Sequence, residues 1–151
     1  MERRTERQPV FGETLQFMKR MWDLVHALDV RSKRMAKDLG VTGPQRLVIR
    51  ILGQNPDMTA SDIAGTLGMH PSTLTGILSR LENQGMLARR TDTDDRRRLR
   101  FKLTARGSRV DRERKGTVEA SIRRALARCD AATIASTVEV LGVLTAELER
   151  D

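Results

Sequence analysis

The chain has 151 residues, the content of one domain at about 150 residues each, and can bury a core without disulfides or a structural metal. Its 28 Lys and Arg exceed its 20 Asp and Glu, and the net charge of +8 points to a polyanion, nucleic acid ahead of an acidic membrane surface. Three Phe, one Trp and no Tyr exclude a single-strand binder that stacks bases on rings, while one Cys and two His exclude an internal disulfide or a zinc finger and fit a reducing cytosol.

Residues 1–12, with mixed charge, Pro9 and Gly12, read as a loose lead-in without the apolar core of a signal peptide, so a cytoplasmic location is expected. A helix is predicted from Glu13 to Gly40. Leu15, Met18, Trp22, Val25 and Leu28 form one stripe, and Phe17, Met21 and Leu24 widen it to two faces that call for two neighbours. Thr42-Gly43-Pro44 starts a second helix to Gly53, with Leu47, Ile51 and Leu52 expected on its inner face.

After the turn Asn55-Pro56-Asp57, the stretch from Met58 reads as a short helix with Thr59 as N-cap and Asp62 completing a near capping box, stopped by Gly68. His70-Pro71-Ser72 opens the next, whose Leu74, Ile77, Leu78 and Leu81 make an apolar stripe before Gly85 ends it. Its other face carries Ser72, Thr73, Thr75, Gly76, Ser79 and Arg80. The period then falls to two over Met86–Thr91 and Leu99–Leu103, which predicts a strand hairpin with a charged tip. Thr104 is expected to cap one long helix to about Arg128, and Asp130 another along Ile134, Val138, Leu141, Leu144 and Leu148. The longest apolar stretch, Ile134 to Leu144, is broken by Ser136, Thr137 and Glu139. It falls short of the roughly 20 residues that cross a bilayer, so no membrane partner is expected.

Two short helices joined by a tight turn, followed by a hairpin, form the pattern of a winged helix-turn-helix. Small side chains on the outer face let a helix enter a major groove, where hydroxyls and Arg80 can bond to phosphates or base edges. In the hairpin, Asp92, Asp94 and Asp95 precede Arg96, Arg97 and Arg98, and Arg89, Arg90, Arg100 and Lys102 line the strands. A narrow minor groove attracts an arginine from such a tip. The plainer readings are a solvated helix face and a solvated charge run. Between Arg89 and Lys115 lie twelve basic residues against five acidic ones, so nearly all of the excess charge sits on the wing and the segment after it.

The segments Leu67–Thr75, Leu81–Leu87 and Arg90 with Asp92–Thr104 resemble the MarR family of bacterial transcriptional regulators. That family's wing commonly reads Asp-Pro-Arg-Asp-Arg-Arg and closes on Leu-Thr with Gly three residues later, as in Leu103-Thr104-Ala105-Arg106-Gly107. Thr93 stands in place of the usual Pro, and Asp94 in place of the usual Arg, which removes a basic group from the tip.

The resemblance implies a mainly α fold with a minor β part: one domain over 1–151, a winged core over 42–107, and dimerisation helices at 13–39 and 117–151. It implies a homodimer on double-stranded DNA, located in the bacterial cytoplasm with the nucleoid. His70, Pro71, Ser72, Thr73, Thr75, Gly76, Ser79 and Arg80 would face the major groove. Arg89, Arg90, Asp95, Arg96, Arg97, Arg98 and Arg100 would form the DNA-contacting wing, with Arg97 in the minor groove and Asp95 orienting it. Two-fold symmetry then predicts a near-palindromic operator with half-sites roughly 34 Å apart. Many relatives release DNA on binding a small aromatic or lipophilic anion, for which Met18, Trp22, His26 and Arg46 are the candidate pocket residues. The alternative makes Met18 and Trp22 dimer core. Cys129 reads as a small buried hydrophobe. A repressor is the leading expectation and a sequence-blind architectural DNA binder the alternative. No nucleophile and base are paired and no glycine-rich phosphate loop is present, so neither an enzyme nor a cofactor is expected.

Overall fold

The computed structural model describes residues 12–150, so the expected lead-in lies almost wholly outside the described residues. Helix α1 runs Glu13–Leu39 and ends on Gly40, whose left-handed φ of 76° suits a residue without Cβ. Helix α2 (Gly43–Gln54) starts from a full capping box, with Thr42 and Gln45 each bonding the other's backbone amide. Its buried face is Gln45, Arg46, Val48, Ile49 and Leu52. This corrects the expected inner face: Leu47 is 52% exposed and Ile51 only half-buried, because the helix is rotated to bury Val48 and Ile49 in the core.

Met58–Thr59 forms a two-residue strand, β1, ahead of helix α3 (Ala60–Leu67), for which Thr59 is the N-cap and Asp62 closes the capping box. Helix α4 (Pro71–Asn83) follows after the left-handed Gly68. Strands β2 (Leu87–Thr91) and β3 (Leu99–Leu103) make the hairpin, and the antiparallel sheet has the order β1-β3-β2. The missed strand β1 is thus an edge that anchors the hairpin to the core, Met58 lying opposite Phe101.

One apolar core joins α2, α3, α4 and the sheet, through Val48, Ile49, Leu52, Ile63, Leu74, Leu78, Leu81, Met86 and Phe101 among others. Each such side chain contributes about 1.5 to 3 kcal/mol when fully buried. The stripe of α4 thereby fixes which of its faces meets solvent.

The expected single helix from Thr104 to Arg128 is instead two, α5 (Ala105–Arg112) and α6 (Val118–Leu126). Glu113 turns extended, Gly116 takes a left-handed φ of 76°, and the buried Thr117 caps α6 while its hydroxyl donates to the Arg114 carbonyl at 3.0 Å. The carbonyls freed at the end of α5 are taken by Arg46, which donates to those of Val110, Asp111 and Glu113. Helix α7 (Ala131–Leu148) is capped by Asp130 and has no buried residue, as has α6. Over its eighteen residues α7 is long and apolar enough to cross a membrane by length and composition, which the shorter Ile134–Leu144 stretch understated. Cys129, expected to be buried, is exposed between α6 and α7.

Candidate nucleic-acid interface

The outer face of α4 is built by the burial of its inner one. His70 is the N-cap: its Nδ1 accepts from the Ser72 amide at 3.2 Å and lies 2.7 Å from Ser72 Oγ. Acceptance at Nδ1 leaves the ring proton on Nε2 as an outward donor. Pro71 occupies the first turn, where a missing amide hydrogen costs nothing. His70, Pro71, Ser72, Thr73, Thr75, Gly76, Ser79 and Arg80 are all exposed. Thr75 spends its hydroxyl hydrogen on the Pro71 carbonyl at 2.9 Å and so presents lone pairs outward. A Cβ at Gly76 would meet nothing within 4 Å, so the protein's own packing does not require glycine there.

The hairpin tip closes through two backbone bonds, Asp92 N–H to Arg98 O and Arg98 N–H to Asp95 O, both 2.9 Å. Asp95 Oδ1 accepts from the Arg97 amide at 3.0 Å and from Arg97 Nε at 3.3 Å, while Oδ2 lies 3.5 Å from Arg98 Nε. Asp95 therefore holds one edge of the Arg97 guanidinium, and the side chain remains 90% exposed. Arg96 and Arg98 are exposed beside it. Between α4 and the wing runs a groove of about 590 Å³, lined in part by Thr75, Ser79, Arg89, Arg97 and Arg98.

The other wing arginines are engaged within the chain. Arg89 pairs with Glu82 of α4 at 3.2 Å, Arg90 with Asp57 at 3.0 Å and Arg100 with Asp92 at 2.5 Å. Sequence reasoning missed Asp57, Glu82 and Asp92 as partners. The signal was present for one pair, since hairpin register sets Arg90 directly opposite Arg100 and such a pair needs counter-charge. Asp57 and Asp92 are both held below the ordinary carboxyl range, Asp57 first by its hydrogen bond from Arg90, Asp92 first by the Asp94 amide and then by Arg100.

A second concavity, about 480 Å³, lies between α1, α2 and α6, with Leu28, Leu47, Val118 and Ile122 as apolar walls and Arg46 and Arg50 also lining it. Of the four candidate pocket residues only Arg46 reaches it. Met18, Trp22 and His26 lie nearer the start of α1, exposed on the single chain and away from the cavity. Arg46 is itself only 2% exposed and bonded to Glu119, whereas Arg50 pairs with Asp111 at 2.6 Å. Among the described residues no group of three or more His, Cys, Asp or Glu could hold a metal.

A helix-turn-helix backed by one core and flanked by a hairpin with a cationic tip defines a winged helix-turn-helix protein. Residues 41–99 match the MarR family. An HTH-type transcriptional repressor of Mycobacterium tuberculosis is 32% identical over 62% of this chain and 67% of its own length. The homoprotocatechuate degradative operon repressor of Escherichia coli is 34% identical over 48% of this chain, which spans about half of that relative. In fold, the chain is similar to MepR of S. aureus, solved as a DNA complex (TM-score 0.72, 19% identity, 91% and 99% covered). It is likewise similar to PcaV of Streptomyces coelicolor, solved with its natural ligand (TM-score 0.71, 21% identity, 94% and 100% covered). The chain belongs to the MarR family of transcriptional regulators.

Proposed function

We propose that this protein is a homodimeric repressor in the cytoplasm that binds a near-palindromic double-stranded operator and releases it when a small aromatic or lipophilic anion is bound. The observation that carries this reading is the exposed Arg97, held at the wing tip by Asp95 beside a recognition helix whose outer face is small and polar. In it, α4 enters the major groove and Arg97 the flanking minor groove. The described parts of α1, with α6 and α7, serve dimerisation. Trp22, Leu24, Val138 and Val143 are each more than half exposed on the single chain, a surface that a second copy would cover. The cavity between α1, α2 and α6 supports the effector part of the reading through its apolar walls, Leu28, Leu47, Val118 and Ile122, which suit an aromatic ring, while Arg46 and Arg50 at its edge are already paired with Glu119 and Asp111.

Selection of bound duplexes from a random pool tests the reading. Enrichment of one two-fold-symmetric sequence is the expected result. Random duplex that displaces the protein as well as any selected sequence would instead favour the architectural binder.

A further inference from the structure

We propose that Arg90 and Arg100 are positioning residues that set the direction of the wing, held by Asp57 and Asp92, rather than groups that contact DNA. The inference rests on the reading above only in taking the wing tip as the part that DNA meets.

Arg90 of β2 and Arg100 of β3 are directly opposite in the ladder, so their side chains leave the same face of the sheet. Like charges in that relation repel and would splay the hairpin. Three acceptors remove the conflict. Asp57 Oδ1 takes Arg90 Nε at 3.0 Å, the Asp57 carbonyl takes Arg100 Nη1 at 2.8 Å, and Asp92 Oδ2 takes Arg100 Nε at 2.5 Å. Asp92 is only 5% exposed and also accepts from the Asp94 amide at 2.8 Å, which ties the clamp to the tip turn.

Asp57 is the one non-glycine residue with positive φ, 66°, among those described. Asp and Asn are the side chains that tolerate this conformation best. It lets a single residue of the turn between α2 and β1 serve both arginines, while its amide donates to the Phe101 carbonyl at 2.9 Å. Both hairpin strands are thus gripped at one point, on the sheet face opposite the buried Phe101. Arg97 lies beyond that point, so its approach to a minor groove follows the clamp. Arg90 and Arg100 are 43% and 33% exposed with Nε of each committed to a carboxylate, whereas Arg97, although Asp95 holds one edge of it, is 90% exposed, so the guanidinium free to meet DNA is the one at the tip.

The test is Asp57→Asn, which keeps the backbone conformation and the carbonyl but raises the net charge by one unit. The probes are a duplex that the wild-type protein selects from a random pool and amide exchange of the free protein. The clamp predicts binding weakened about ten-fold, despite the added charge, with an unchanged dependence on salt and faster exchange at the Asp92 and Arg98 amides. Binding that stays equal or tightens, with a salt slope steeper by about one, would overturn it. So would unaltered exchange at those amides. Arg100→Lys gives a second reading: lysine keeps the charge and would still satisfy a phosphate, but lacks the fork that spans Asp92 and the Asp57 carbonyl. The clamp predicts a similar loss there, and wild-type affinity would refute it. A wild-type protein that selects no duplex would refute the repressor reading instead, and the exchange measurement would still decide the clamp.

Discussion

Arg46 of α2 and Glu119 of α6, 73 residues apart, share two hydrogen bonds, from Nε at 2.8 Å and Nη2 at 2.5 Å to the same Oε1. The arginine also satisfies three carbonyls at the end of α5, so one buried fork joins three helices. Burial raises the Glu119 pKa, but the Arg46 hydrogen bond and charge outweigh it and hold the carboxyl below its ordinary 4.5. Arg46→Met should cost about 2 to 4 kcal/mol, because the half-buried Glu119 loses both hydrogen bonds and its counter-charge, while the carbonyls of Val110, Asp111 and Glu113 keep other donors in the Glu113 amide, Arg50 and Arg114. Urea denaturation measures this, and a loss under about 1 kcal/mol would refute a structural role for the fork.

At the wing tip the balance is the reverse, since Arg97 is exposed and supports little of the fold. Arg97→Ala should leave thermal unfolding unchanged and weaken operator binding by about 1 to 3 kcal/mol. Equal binding by wild type and variant in a titration would remove Arg97 from the interface.

Gly107 faces the Met86 carbonyl oxygen so closely that a Cβ there would overlap backbone, with Leu103 closing the other side. A main-chain atom cannot swing away as a flexible side chain can. Gly107→Ala should therefore destabilise by about 1 to 3 kcal/mol, whereas Gly76→Ala, in open space, should stabilise by about 0.5 to 1 kcal/mol. Paired denaturation curves compare them, and equal shifts would contradict the packing at α5.

Acid should loosen the wing. Asp57 and Asp92 have their pKa values lowered from 3.8 in the folded protein. A lowered carboxyl contributes stability that is fully present above its unfolded value and lost as pH falls through the folded one. Asp92→Asn should thus be less stable than wild type at neutral pH, with the gap closing as pH drops below 3.8. A gap of constant size down to about pH 2 would exclude the carboxylate as its source.

Val143 on α7 is 66% exposed in the single chain. If a second copy covers it, Val143→Asp places an unpaired charge in an apolar interface and should shift the protein to monomers in analytical ultracentrifugation. An unchanged dimer would move the interface elsewhere.

The starts of the elements were legible because their signals are local. Thr42-Gly43-Pro44, Thr59 with Asp62, and His70-Pro71 lie within a few residues of the helix starts they mark, and alternation exposed both hairpin strands. The recognition face followed from the stripe opposite it. The break between α5 and α6 was missed because polar Arg106–Lys115 gives a weak apolar period and the Gly116-Thr117 signal was passed over. Strand β1 is too short to show a period. Least legible were the ion pairs: Arg90 finds Asp57 33 residues away and Arg46 finds Glu119 across 73, so composition gave a positive wing without saying which charges were already spent.

Helix α7 bears on gene dosage. Eighteen residues without one buried side chain make a poor surface for a chain on its own. If a second copy covers it, as the proposed homodimer requires, the folded form is inseparable from chain concentration, and at low expression the amount of active dimer would rise as the square of the number of chains made. A modest change in synthesis would then move operator occupancy more steeply than it moves protein level.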